Sequence, residues 1–147
     1  MNQKSIEVLL VEDDPDDAEL TIRALKKHNL ANHLLHVKDG EEALNFLFAK
    51  GAYEKTRDLA SPPRIILLDI QMPKVNGLEV LQQVKSDPRT KMTPVVVLTS
   101  SKQDPDIQKC YALGANSYIV KPVSFERFAD AIRDLGYYWL ILNTPPA

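Results

Sequence analysis

Short, almost continuous apolar runs recur along this chain. The clearest is Arg64–Ile70 (RIILLDI), and similar runs are Ile6–Val11 (IEVLLV), Pro94–Leu98 and Ser117–Val120, with a weaker one at His33–Val37. Runs of this kind are typical of strands that are buried on both faces of a parallel sheet. Because parallel strands need helical crossovers, the runs favour an α/β fold.

Helical patterns fill the stretches between these runs. Ala18, Ile22 and Leu25 recur at helical spacing after the first run, and Ser124 is a candidate N-cap for the last helix. The other helices are predicted at Glu41–Ala49, from Gly77 to near Asp87, and at Asp106–Leu113. Five β–α units in this order predict a doubly wound parallel sheet of five strands with five helices.

The length of the chain fits one domain. It has 147 residues, so we expect a single domain over residues 1–147. Within it we predict a polar surface insertion at about 50–64 and a C-terminal helix extension at about 136–147.

The composition argues against several classes of protein. Lys and Arg number 18 against 20 Asp and Glu, a net charge of −2, which is unlike a strongly basic nucleic-acid binder. No apolar run approaches the ~18 residues of a membrane span, and the N-terminus has no secretory signal pattern. The single cysteine, Cys110, cannot form an internal disulfide, and its apolar neighbours predict a core position. We therefore expect a cytoplasmic domain without a nucleic-acid or membrane partner.

Polar residues stand where the predicted strands end. Glu12 and Asp13 follow the first strand, Asp69 ends the third, Thr99 follows the fourth, and Lys121 follows the fifth. Ligands of doubly wound folds bind at the carboxyl ends of the strands, so we expect these side chains to lie together. Asp69 is the most informative, because an unpaired carboxylate at the end of an apolar strand would be costly.

These residue types match one chemistry. Converging carboxylates repel each other unless a hard divalent cation lies among them, and Mg²⁺ prefers such oxygen ligands. A lysine ammonium and a threonine hydroxyl can bind phosphate oxygens, and an aspartate is a known nucleophile toward phosphorus. Phosphoryl transfer needs little beyond this positioning and charge neutralisation.

Four motifs also carry a resemblance to a known family. They are Glu12-Asp13, Leu67–Gly77 (LLDIQMPKVNG), Thr99-Ser100 and Tyr118–Pro122 (YIVKP). In order and placement they resemble the receiver domain of two-component response regulators. The resemblance implies a flavodoxin-like receiver fold with strand order 2-1-3-4-5 and Mg²⁺ as cofactor.

The same resemblance implies a role for each matching residue. Asp69 is the expected phosphoacceptor, and Lys121 is expected to pair with its phosphate. Thr99 is the expected switch hydroxyl and Tyr118 the switch aromatic. The expected Mg²⁺ ligands are oxygen donors around the phosphoacceptor: Asp13, Asp69 and the backbone carbonyl of Gln71, with Glu12 acting through water.

A narrower resemblance concerns the insertion and the end of the chain. Three segments resemble the small regulators paired with cyanobacterial phytochrome kinases. They are the insertion at about 50–64, Cys110–Val123 (CYALGANSYIVKPV) and the ending YYWLILNTPP. This resemblance implies a stand-alone receiver that a phytochrome-type histidine kinase phosphorylates. Its output is then expected to be contact with other proteins.

An apolar seam near the C-terminus predicts a homodimer. The seam residues are spaced 3, 4, 3, 4, 3, and they are Phe125, Phe128, Ile132, Leu135, Trp139 and Leu142. They can also simply cover the parent sheet. However, Tyr137–Leu142 is apolar all round, which a single packing face does not explain, so the pattern favours a dimer interface.

Two other functions remain open at this stage. The first is a degenerate receiver that is never phosphorylated and acts only as a binding module. The second is a Mg²⁺-dependent phosphatase with an aspartyl nucleophile, although the second carboxylate expected two residues after Asp69 is replaced by Gln71.

Overall fold

The five apolar runs form one parallel sheet. The computed structural model describes residues 7–27, 33–55, 62–72 and 75–134. The strands pair in the order β2-β1-β3-β4-β5, and every pair is parallel, so the predicted strand order is confirmed. In chain order the elements are β1 (Val8–Val11), α1 (Pro15–Lys26), β2 (Leu34–Val37), α2 (Gly40–Leu47), β3 (Ile65–Asp69), α3 (Gly77–Ser86), β4 (Val95–Thr99), α4 (Asp106–Ala112), β5 (Ser117–Val120) and α5 (Phe125–Asp134).

Helices cover both faces of this sheet. All five residues of β3 are buried. Because side chains alternate along a strand, Ile66 and Leu68 join one apolar cluster and Ile65 and Leu67 join the other. The first cluster includes residues of α2, α3 and α4, and the second includes residues of α1 and α5. The sheet is therefore doubly wound, as the continuous apolar runs predict.

Side-chain caps begin the helices that follow the strands. Asp14 accepts hydrogen bonds from the first backbone N–H groups of α1, and Asp39 and Asn76 do the same for α2 and α3. Ser124 Oγ accepts from the backbone N–H of Arg127, which confirms its predicted capping role. These caps begin α1, α2, α3 and α5, whereas the N-cap residue of α4, Pro105, makes no side-chain hydrogen bond.

The stretch after α2 is only partly a surface loop. Gly51–Tyr53 forms a 3₁₀ turn, and the ring of Tyr53 lies edge-on against Phe46 at 5.2 Å. Pro63 is buried. The predicted insertion thus contributes packing at both of its ends, while residues 56–61 lie outside the described part of the chain. The predicted extension at 136–147 lies outside it as well.

The position of Phe128 in α5 differs from the predicted dimer interface. Phe128 is fully buried in the cluster that includes Leu10 and Leu67, so its side chain belongs to the core of this chain and is closed to a partner. The reason is that α5 packs on β5 and directs this residue inward. Phe125 is half-buried at the edge of the same cluster. The Ile132 side chain, Trp139 and Leu142 lie outside the described part.

None of the helices in the described ranges combines the length and the apolar character that a membrane span requires.

Candidate functional site

Asp69 ends the central strand with its carboxylate at the predicted edge of the sheet. The residue is only 5% exposed. The backbone N–H of Gln71 donates to its Oδ1 at 3.0 Å, and Lys121 Nζ donates to its Oδ2 at 3.2 Å. Both carboxylate oxygens are thus engaged, which fixes their orientation toward the surface cleft. Gln71 itself is exposed on the rim.

A close backbone approach fixes the position of Asp69 from the other side. A Cβ at Gly77, the first residue of α3, would lie 2.4 Å from Ile70 Cα and 2.5 Å from the Asp69 carbonyl oxygen. Only glycine allows this approach. The sequence identifies Gly77 as a helix start, but the contact with Asp69 emerges only from the fold.

Three acids converge at this strand edge. Glu12, Asp13 and Asp69 each offer one carboxylate oxygen, and these oxygens lie within 4.8 Å of one another. Glu12 is fully buried, whereas Asp13 is exposed. Glu12 Oε1 lies 2.8 Å from Lys121 Nζ as an ion pair, but among the described residues it accepts no well-aligned hydrogen bond. An all-oxygen donor set of three acids, with one buried oxygen that has no well-aligned hydrogen bond, fits a hard divalent cation.

Burial and the proximity of these acids change their titration. Burial, and then the neighbouring Asp69 carboxyl, raise the pKa of Glu12 to about 8, although Lys121 opposes the shift. The same two causes raise the pKa of Asp13. In the absence of a cation the cluster therefore resists carrying its full negative charge, and a bound cation removes that penalty.

Lys121 neutralises part of the cluster. Its Nζ lies 2.8 Å from Glu12 Oε1, 3.1 Å from Asp17 Oδ2 and 3.2 Å from Asp69 Oδ2. Burial opposes the charge of this lysine, but the carboxylates outweigh burial and raise its pKa. Asp17 is a contact that the sequence reasoning missed. Asp17 belongs to the acidic run after β1, but its contact with Lys121 depends on how the first turn of α1 packs, which the run does not reveal.

Thr99 ends β4, and its hydroxyl bonds within its own loop. Thr99 Oγ1 lies 3.0 Å from the Ser101 carbonyl oxygen and 3.1 Å from Asp104 Oδ2. Tyr118 on β5 is half-buried, with its ring edge-on to Tyr111 at 6.3 Å. The structure thus brings Glu12 and Asp69 into contact with Lys121 and places Asp13 close to both acids, while the hydroxyl of Thr99 is engaged elsewhere.

These residues line one open cleft. It has a volume of about 230 Å³, and its lining residues come from the ends of β1, β3, β4 and β5 and from the start of α1: Asp13, Asp14, Asp17, Asp69, Ile70, Gln71, Leu98, Thr99, Ser100 and Lys121. The lining thus combines several carboxylates with the ammonium of Lys121, which contacts two of them, and with Thr99. Such a cleft can bind a divalent cation and a small anionic group side by side.

Known proteins are similar to this chain in sequence and in fold. Residues 8–133 match the family described as the response regulator receiver domain. The chain is 37% identical over 141 residues to the response regulator Rcp1 of Synechocystis, covering 95% of this chain and 92% of Rcp1.

Two further solved structures and one metal-bound form of Rcp1 are similar. The bacteriophytochrome response regulator RtBRR is 48% identical with a TM-score of 0.84, over 97% of this chain and 85% of RtBRR. The phosphorylated cyanobacterial phytochrome response regulator RcpA is 35% identical with a TM-score of 0.75, over 98% and 100%. The Mn²⁺-bound form of Rcp1 is 36% identical with a TM-score of 0.72, over 95% and 98%. On the sequence match, the fold and the acidic cluster together, the chain belongs to the response regulator receiver domain family.

Proposed function

We propose that this protein accepts a phosphoryl group on Asp69 from a phytochrome-type histidine kinase, in a Mg²⁺-dependent reaction. The observation that carries the proposal is the nearly buried Asp69 carboxylate, which has Lys121 Nζ at 3.2 Å and two more acids beside it. Kinship with RtBRR and with the phosphorylated RcpA supports the choice of chemistry and of kinase class.

The proposed step is an in-line displacement at phosphorus. A carboxylate oxygen of Asp69 attacks the phosphorus of a phosphohistidine and forms a new O–P bond, while the P–N bond breaks. The electron pair of that bond stays on the imidazole nitrogen, which then takes up a proton. Lys121 offsets the negative charge that collects on the equatorial oxygens, as phosphoryl transfer requires.

The metal has a defined place in this proposal. Asp13 and Asp69, with the backbone carbonyl of Gln71, are the residues that would hold Mg²⁺, and Glu12 would contact its water shell. When bound, the cation supplies positive charge that allows the anionic carboxylates and the anionic phosphoryl group to approach each other. The Mn²⁺-bound form of Rcp1 supports a divalent cation in this family.

The response to phosphorylation is proposed to run through Thr99 and Tyr118. The phosphoryl group adds about −1.5 to −2 charge, which attracts the Thr99 hydroxyl and the Lys121 ammonium. If Thr99 moves toward Asp69, the half-buried Tyr118 ring gains space to rotate inward. Output then follows from an altered α4–β5–α5 surface that contacts other proteins in the cytoplasm.

A homodimer over α5 is a further part of this proposal. With Phe128 assigned to the core, the interface would use Phe125, Ile132, Trp139 and Leu142. Sedimentation across a concentration series tests it, with Trp139→Ala as the weakening variant. A parent protein that stays monomeric at high concentration, phosphorylated or not, contradicts the dimer.

The phosphorylation itself is tested with a small phosphodonor. Acetyl phosphate and Mg²⁺ should yield one phosphoryl adduct by intact mass, labile to hydroxylamine, and absent from Asp69→Asn. No adduct and no turnover indicates a pure binding module. Continuous turnover of unrelated phosphate esters indicates a phosphatase. Phosphotransfer from a purified phytochrome kinase, compared with an unrelated kinase, then tests the partner.

A further inference from the structure

Asp104, in the loop between β4 and α4, contacts two residues of the cleft. Its Oδ1 accepts a hydrogen bond from the Asp106 backbone N–H at 2.8 Å, which supports the start of α4. Its Oδ2 lies 3.1 Å from Thr99 Oγ1 and 3.5 Å from Gln71 Nε2. Asp104 is therefore joined to both sides of the rim of the cleft, although it does not line the cleft itself.

The Thr99 hydroxyl is fully engaged in this arrangement. It has one proton to donate, and its acceptors are the Ser101 carbonyl at 3.0 Å and Asp104 Oδ2 at 3.1 Å. The Ser101 backbone N–H donates back to Thr99 Oγ1 at 3.3 Å. To donate to a group on Asp69, the hydroxyl has to leave both acceptors. Asp104 is the anionic one, and hydrogen bonds to ionised acceptors are about twice as strong as neutral ones.

We infer that Asp104 is a positioning residue that stabilises the resting position of Thr99 and so opposes the phosphorylated arrangement. This inference rests on the proposed function, because it assumes that Thr99 responds to a phosphoryl group on Asp69. Gln71 contributes to the same arrangement, since its Nε2 lies 3.5 Å from the same carboxylate oxygen. The strength of these contacts sets how readily the site adopts the state that binds phosphate.

The substitution Asp104→Asn isolates this effect. The amide side chain would keep an oxygen for the Asp106 N–H, so the start of α4 is preserved, while the charge that attracts the Thr99 hydroxyl is removed. The matched control is Asp106→Asn, which removes one charge from the same segment without a described contact to Thr99. The probe is beryllofluoride with Mg²⁺, a mimic of the phosphoryl group, and bound fluoride is measured by ¹⁹F NMR.

We expect Asp104→Asn to lower the half-saturating beryllofluoride concentration about fivefold to tenfold, as loss of one charge-assisted hydrogen bond in the resting state implies. Asp106→Asn should change it by less than about twofold, because its side chain has no described contact with Thr99 and the charge it removes is only partly buried. Without beryllofluoride, the Thr99 methyl resonance of Asp104→Asn should already be displaced toward its position in the bound form.

A double-mutant cycle separates the contact from general electrostatics. In a Thr99→Val background, which has no hydroxyl, Asp104→Asn should have no more effect than Asp106→Asn. An equal effect of the two Asn variants in the parent background, or weaker binding by Asp104→Asn, overturns the inference while the proposed function stands. If the parent protein binds no beryllofluoride in Mg²⁺, the proposed function fails, and this inference fails with it.

Discussion

Substituting Gly77 by Ala perturbs the phosphoacceptor without touching any polar group. The new Cβ would lie 2.4 Å from Ile70 Cα and 2.5 Å from the Asp69 carbonyl oxygen, and both contacts are with backbone. Backbone atoms cannot rotate away as a flexible side chain can, so α3 or the Asp69–Gln71 segment has to shift. That segment carries the carboxylate and the N–H of Gln71 that orients it.

The expected magnitudes follow from this overlap. Overpacking of this kind costs about 1–3 kcal/mol of unfolding free energy. Displacement of the reacting group by about 1 Å can cost 10²-fold in rate. We therefore expect Gly77→Ala to lose stability in urea denaturation and also to lose most of its phosphorylation by acetyl phosphate, measured as the rate of adduct formation at saturating Mg²⁺.

The matched control is Gly114→Ala at the opposite end of the sheet. Gly114 has φ +106°, and an added Cβ would meet the side chain of Lys85 at 3.0 Å. Backbone strain of this type costs of the order of 1–3 kcal/mol, so this variant also loses stability. It should nevertheless phosphorylate at close to the parent rate. Equal phosphorylation rates of Gly77→Ala and the parent protein would refute the reasoning.

Three other predictions concern the core, the metal and the cysteine. Phe128→Ala should lower the unfolding free energy by about 3–5 kcal/mol, and Phe125→Ala by clearly less, in urea titrations at a concentration where only monomer is present. Mg²⁺ should raise the melting temperature of the parent protein but not of Asp13→Asn, and an equal rise in both would show that the cation binds elsewhere. Burial, with Asp106 and Asp104 nearby, raises the pKa of the Cys110 thiol to about 11, so a thiol reagent should react slowly until the protein unfolds. Because the pKa of this thiol rises from its ordinary 9.0 to about 11 on folding, the neutral thiol contributes to the free energy of unfolding below pH 9. This contribution to stability is lost as the pH rises through about 11.

Much of the fold could be predicted because the strongest signals are local. The run at Ile65–Leu68 is apolar without alternation and rich in β-branched and aliphatic residues, which is typical of a strand covered on both faces. The predicted strand at Ser117–Val120 has the observed boundaries. The helix predicted at Glu41–Ala49 ends two residues early, at Leu47, and Ala49 has a positive φ of 55°. Such a turn depends on how the following segment packs, and the spacing of apolar residues in the helix does not predict that packing.

The sequence could predict which strand-end residues lie at the site, but not all of the hydrogen bonds and ion pairs that they make. Placement at strand ends brings Glu12, Asp69 and Lys121 together in any sheet of this order. The third carboxylate on Lys121, Asp17, comes from α1, and its distance depends on how that helix packs on the sheet. The engagement of Thr99 by Asp104 likewise depends on a loop conformation. Spacing cannot reveal either contact, because neither Asp17 nor Asp104 stands at the end of a strand.

The charges of the site explain why it is built for a cation. One ammonium, that of Lys121, faces the carboxylates of Glu12, Asp17 and Asp69, and Asp13 adds a fourth beside them. A chain selected only for stability would not bury Glu12 there, because desolvation and like charges both oppose its ionisation. Burial and the neighbouring Asp69 carboxyl therefore raise the pKa of Glu12 and Asp13, which is the cost of holding these oxygen atoms together at the strand edge. A local arrangement that opposes stability in this way, on a fold that is otherwise consistent with its sequence, is what a functional site is expected to show.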